Sequence, residues 1–362
     1  MKHSNIIRTM AALLIAGSAF VSCNKESEPV AGTFTMTVNA AKGDNATKAL
    51  SLDGTTLTAS WAQGESVTVY NVTRNADLEG SLVAQGDGAS SVLTGTLSGE
   101  IAEGDVLTLK FLNPDYSMQE GTLEYIAANC DYAEATVTVA SVANGMITTT
   151  GDAVFENQQA IVKFTFKNSD GTETLSTSQL VVTVGNNSYT VTTASATGEL
   201  YVAIPGFSGQ DITLTATDGV SNYSYTKSNV SFAAGEYYTI EVRPELVSVI
   251  WTDIDDYENG GISISGASYG ASYYDGKINM SLRRGSGLTF TSNVGSISRV
   301  EIICDYIDFA APSGWSWNSD SHNLIWTGTP SASVSLYTGA TSAIYDITSI
   351  EFTMDNYTAF HR

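Results

Sequence analysis

The stretch "DVLTLKF", residues 105–111, alternates after its aspartate. Leu107, Leu109 and Phe111 fall on one face, and Val106, Thr108 and Lys110 on the other. Successive side chains of extended backbone point to opposite sides, so a period of two marks a strand with one buried face. The same beat recurs along the chain. It places Val67 and Val69 together in "SVTVYN", and Val162, Phe164 and Phe166 in "IVKFTF". It does the same for Ile212, Leu214 and Ala216, for Tyr238, Ile240 and Val242, and for Ile350, Phe352 and Met354. Turn clusters separate these runs: "AKGDNAT", "NSDGTE", "VGNNS" and "TDGVSN". Outside the amino-terminal segment no long 3.6-residue period appears, although residues 116–130 have room for a helical turn. The pattern predicts an all-β protein of sandwiches with Greek-key connections.

Composition narrows the functional classes. The chain has 362 residues, with 16 Lys+Arg against 38 Asp+Glu and a net charge of -22. Such a surface repels nucleic acid and anionic lipid head groups, so a nucleic-acid partner is not expected. At 43% hydrophobic residues the chain is no disordered acidic tail. Length suggests two or three domains. Breaks in pattern at 144–157 and 243–261, the second holding Pro244 and an acidic run, divide it into 31–150, 151–246 and 247–362.

The amino terminus reads as an export signal, residues 1–22. Lys2, His3 and Arg8 precede an apolar run from Met10 to Val21, too short for a membrane span of roughly 20 residues. Ser22 then stands before Cys23, as in a bacterial lipobox, with Phe20 where leucine is usual. Cys23 is the expected lipidation site and residues 23–30 a solvated tether. The other reading is an ordinary signal that leaves the cysteine unmodified. Cys130 and Cys304 remain, either as a disulfide pair or, by the stronger expectation, as two buried small hydrophobes.

"TKALSLDGTTLTASWAQGESVTVYN", residues 47–71, resembles the opening of the fimbrillin-like proteins of Bacteroidales. "GEIAEGDVLTLKF", "FENQQAIVKFTF" and "SFAAGEYYTIEV" resemble three further markers in the same order, over about residues 30–246. The resemblance implies two tandem transthyretin-like, fimbrillin-type sandwiches and the biology of a type V pilus. It implies a lipoprotein on the outer face of the outer membrane, where subunits join by β-strand donation. "TFTMTVNA", residues 33–40, would be the removable first strand and Lys48 the processing site. Residues 247–362 extend beyond that pattern as a further β-sandwich, suited to a tip-like component or to a surface protein that never polymerises.

The carboxy-terminal third holds Trp251, Trp315, Trp317 and Trp326, four of the five tryptophans. Trp315 and Trp317, with Tyr273 and Tyr274, are the candidate ligand-binding residues, for a glycan or protein of host or microbe. Trp326 in "NLIWTG" is expected in the core, and the alternative for the others is core packing too. "DIDDYENGG", residues 253–261, offers carboxylates but not the spacing of an EF-hand, and reads as linker. Ser224 and Lys227 match Ser-x-x-Lys inside alternating sequence, where they face opposite sides. No histidine pair, metal-ligand spacing or phosphate loop appears. The expected class is a non-enzymatic pilus component or adhesin without cofactor. The alternative is a glycan-binding surface lipoprotein associated with polysaccharide capture.

Overall fold

The computed structural model describes residues 28–42, 51–53, 56–58, 60–112, 114–252, 258–274, 277–308, 310–339 and 343–355, without the side chains of 51–58 and 267–280. Within them the chain is nearly all β, as the alternation predicts.

Among the described residues three large cores succeed one another, with a smaller fourth cluster between the first two. The first is built from β1 (Val30–Lys42), the small hairpin β2 (Ser51–Asp53) and β3 (Thr56–Thr58), β4 (Ser66–Asn71), β5 (Ala76–Ala84), β6 (Ser90–Ile101) and β7 (Val106–Phe111). An excursion follows, with β8 (Met118–Gln119) and α1 (Leu123–Asn129), before β9 (Ala133–Ala143), β10 (Met146–Thr150) and β11 (Ala153–Asn157). The sheet runs β11-β9-β7-β4-β5-β6 and closes on itself through β1, which bonds β6 on one side and β10 and β11 on the other. Closure removes free edges. Where β6 meets β5, a Cβ on Gly95 would lie 2.0 Å from the Ser81 carbonyl oxygen, so the close approach there needs glycine. Phe34, Leu82, Leu93, Leu109 and Phe155 share this core, so it reaches past the expected boundary at residue 150.

The second core lies between two sheets. β12 (Gln159–Phe166) pairs with β15 (Glu199–Pro205) and β18 (Tyr237–Val242) in one. β13 (Thr177–Val184) joins β14 (Asn187–Thr197) and β16 (Phe207–Thr217) in the other, where β16 carries on to β17 (Ser221–Phe232). Phe164, Phe166, Leu180, Val202 and Leu214 fill the space between, with Val and Phe alternating inward as read from the sequence. The outer face of β12 is also covered. Ile161 and Ala203 pack beneath Ile126 and Cys130 of the α1 segment. Helix α1 falls within residues 116–130, and Thr122 caps it by accepting from the Tyr125 amide at 3.1 Å.

β19 (Glu245–Trp251) leads into β20 (Glu258–Asn259), β21 (Ile262–Tyr274), β22 (Lys277–Ser292), β23 (Ser296–Asp308), β24 (Trp315–Asn318), β25 (Asn323–Ser331), β26 (Ser333–Tyr337) and β27 (Ala343–Asp355). Their core includes Trp251, Phe290, Val300, Ile350 and Phe352. β19 pairs with β17 of the second unit along one side and with β27 of the third along the other. The segment read as a break between domains is therefore partly a shared strand.

Candidate functional site

The site begins with β1, whose inward positions are Phe34, Met36, Val38, Ala40 and Lys42. Twelve residues of β1, Val30 to Ala41, pair with β6. Among the described residues, the opposite side is paired at Thr35–Met36 with β10 and at Ala40–Lys42 with β11. Between these two patches Asn39 donates to Asp152 at 3.1 Å. On the exposed face, Thr33 meets Ser98 at 3.0 Å and Thr37 meets Thr94 at 2.9 Å.

Lys42 departs from the apolar pattern. Its side chain is fully buried, with Nζ 3.7 Å from a carboxylate oxygen of Glu65. The ammonium lies 4.5 Å from the ring centre of Trp61 and 4.4 Å from that of Phe111, and donates to the Ser60 carbonyl at 3.4 Å. Such ring contacts attract a cation most strongly away from water. Trp61 is set by backbone bonds to Gly88 in both directions, at 2.6 and 3.0 Å, and stands edge-on to Phe111 and Phe155.

Two other polar knots fix the surroundings. Asp105, nearly buried, accepts from Arg74 Nε at 2.6 Å and Nη2 at 3.0 Å, from Asn71 at 2.9 Å and from the Ala102 amide at 2.9 Å. Burial pushes its carboxyl up, but the bonds from Arg74, Asn71 and Ala102 outweigh it and hold the pKa below the usual value. Gln119 acts as a substitute peptide group at the edge of β15. Its Nε2 donates to the Ala203 carbonyl at 2.7 Å and the Tyr116 carbonyl at 2.9 Å, while its Oε1 accepts from the Ala203 amide at 2.8 Å. A cleft of about 850 Å³ opens beside it, lined by Glu120, Thr122, Glu124, Thr193, Ser195 and Glu199 among others. Glu199 is paired with Lys163 at 2.8 Å.

The sequence candidates fare unevenly. Cys23 and Lys48 lie outside the described residues, as do residues 253–257 of the acidic run. Tyr273 and Tyr274 are on β21, and their side chains fall outside the described ones. Trp315 is a correction: it is 7% exposed and belongs to the third core. It faces inward because β24 pairs with β25, and its indole N–H donates to the Ser335 carbonyl at 3.3 Å, which removes the cost of burying it. Trp317, on the same side of the strand, is half-buried against that core, with its ring edge-on to His322. Trp326, expected inside, is half-buried and packs against the third core. Ser224 and Lys227 lie on β17. Cys130 and Cys304 are free and buried, and burial pushes their thiols up to about 11 and about 12. Among the described residues no group of three His, Cys, Asp or Glu is placed to hold a metal ion, and no helix is long and apolar enough to cross a membrane.

One aromatic pair has no counterpart in the sequence pattern. Tyr306 and Tyr345 are register partners on β23 and β27 and stack with ring centres 4.5 Å apart and planes 15° apart. Tyr306 is 53% exposed. Arg284, paired with Asp308, lies within electrostatic reach of Tyr345. What joins the two tyrosines is cross-strand pairing, which no local pattern reports.

The class defined by these features is an all-β chain of successive sheet units, the first closed by its own leading strand. No family model matches the chain, and no curated protein matches it. Solved structures similar to it include the tip fimbrial protein Mfa3 of Porphyromonas gingivalis, at 10% identity and TM-score 0.30 over 59% of this chain and 95% of that one. A fimbrial assembly protein of Parabacteroides distasonis is similar at 12% identity and TM-score 0.29, over 72% and 96%. The shaft pilin spaA of Lactobacillus rhamnosus GG is similar at 15% identity and TM-score 0.25, over 59% and 98%.

Proposed function

We propose that this chain is a non-enzymatic surface lipoprotein, a pilus component or adhesin, whose first unit assembles by exchanging its leading strand. One observation carries the reading: β1 alone closes the first sheet, and it reaches the core with a row of alternating apolar side chains. Phe34, Met36 and Val38 together bury side chains worth roughly 5–9 kcal/mol. A slot emptied of them favours any strand that restores the burial, and backbone bonds to β6 supply the rest. Residues 43–50, which include Lys48, follow β1 in the sequence. Amino-terminal sequencing of native surface material tests this reading. Cleavage after Lys48 gives chains that begin at Ala49; if every chain still begins at a modified Cys23, the strand is never released.

A second reading, glycan capture by the third unit, is favoured by the Tyr306–Tyr345 stack. An open tyrosine face beside a charged pair suits the apolar face and hydroxyls of a sugar ring. A glycan array probed with the full chain and with Tyr306→Ala decides it: binding lost in the variant supports capture, and no glycan bound by either chain ends it.

A further inference from the structure

We infer that the slot filled by β1 selects its occupant by charge as well as by shape, and that any strand replacing β1 carries a lysine or arginine where Lys42 stands. The inference rests on the strand-exchange reading above and names the partner for that same slot. Its starting point is a violation of alternation. A lysine at an inward position is costly, because an ammonium loses its hydration on burial. Among the described residues, four electron-rich groups around one nitrogen offset the cost: the Glu65 carboxylate, the Ser60 carbonyl and the faces of Trp61 and Phe111. None of the four belongs to β1. Three precede β4 and the fourth ends β7, so the box stays with the slot when the strand leaves it.

The rest of the slot adds a size rule. From its start toward Lys42 the inward side chains shrink from Phe34 through Met36 and Val38 to Ala40, and Ala40 lies in register with Ala153 of β11. The occupant that fits is an extended segment of another chain, with bulky apolar residues giving way to a small one at every second position and a cation two residues beyond the small one. An apolar residue at the last position would set a methyl against a carboxylate and a carbonyl. An acidic one would set two carboxylates together.

The test uses the full chain with a site-specific protease sequence placed within residues 43–50. After cleavage, the protein is unfolded and refolded with an excess of labelled peptide spanning residues 28–42. Peptides carry the native Lys42, Lys42→Arg, Lys42→Met or Lys42→Glu. Native and arginine peptides are expected to enter, the methionine peptide to bind roughly a hundredfold more weakly, and the glutamate peptide to stay out. In a chain with Glu65→Gln the preference for lysine over methionine narrows. If all four peptides enter the native slot equally, charge selection is wrong while strand exchange stands. If not even the native peptide enters, the exchange reading fails and takes this inference with it. The uncut chain gives an independent check, since Lys42→Met is expected to melt below Lys42→Arg. Equal melting of the two contradicts the inference without relying on exchange.

Discussion

Replacing Gln119 by alanine should loosen the tie between the first two units. The side chain makes three hydrogen bonds, two donated by Nε2 and one accepted by Oε1, all between 2.7 and 2.9 Å. Two of them satisfy both backbone groups of Ala203, a residue that is itself fully buried. Alanine removes all three bonds and supplies no substitute. A buried backbone group left unpaired costs about 1–3 kcal/mol. Two such groups at Ala203 therefore give an expected loss of about 2–6 kcal/mol, reduced to the extent that water enters from the neighbouring cleft. Gln119→Glu keeps an acceptor for the Ala203 amide but turns a carboxylate toward two carbonyls, so it should cost at least as much. Urea unfolding measures the loss, and amide exchange locates it. The Ala203 amide, protected in the parent chain, should exchange faster in the variant, while amides inside β6 keep their protection. A variant that unfolds within about 0.5 kcal/mol of the parent, with Ala203 still protected, would refute the reasoning.

Further outcomes are expected elsewhere. Trp315→Ala removes a core indole and should cost about 3–5 kcal/mol in thermal or denaturant melts, whereas a melt unchanged from the parent would make Trp315 a surface candidate again. Asp105 has a folded pKa below its ordinary 3.8, so its contribution is complete above that value and fades as pH falls through the lowered one. Asp105→Asn should therefore differ most from the parent near neutrality, and the gap should close in acid-titrated unfolding below pH 3.8. Cys23→Ala should release the chain from membranes into soluble fractions, because acyl chains contribute about 0.8 kcal/mol per buried methylene; membrane retention equal to the parent would count against lipidation.

How much of the fold and site is legible in the sequence depends on the range of the signal. Alternation is local, and by itself it exposes the inward rows of β7, β12, β16 and β27. The same rule hides Lys42, since a lysine in an alternating run reads as outward-facing; among the described residues, the groups around its ammonium stand 18 to 69 positions away in the chain. Gln119 is silent because its partner Ala203 lies 84 residues along the chain. Trp315 misleads through its flanks, where proline, glycine and serine suggest a loop. They do form a turn, but one that delivers the indole back into the core. "ELVSVIW" reads as linker because Pro244 and the following acids dominate its neighbourhood, yet its own apolar content suits a strand.

That shared strand bears on how a load would pass between the second and third units. A flexible tether between the second and third units would stretch before passing tension on. β19 instead is bonded along both edges, to β17 and to β27, and each ladder is antiparallel. A pull applied to one unit reaches the other through rows of hydrogen bonds stressed together rather than through a single slack connection. The joint resists as a splice resists, by overlap, and a load applied to the third unit would reach the second without first unwinding a leash.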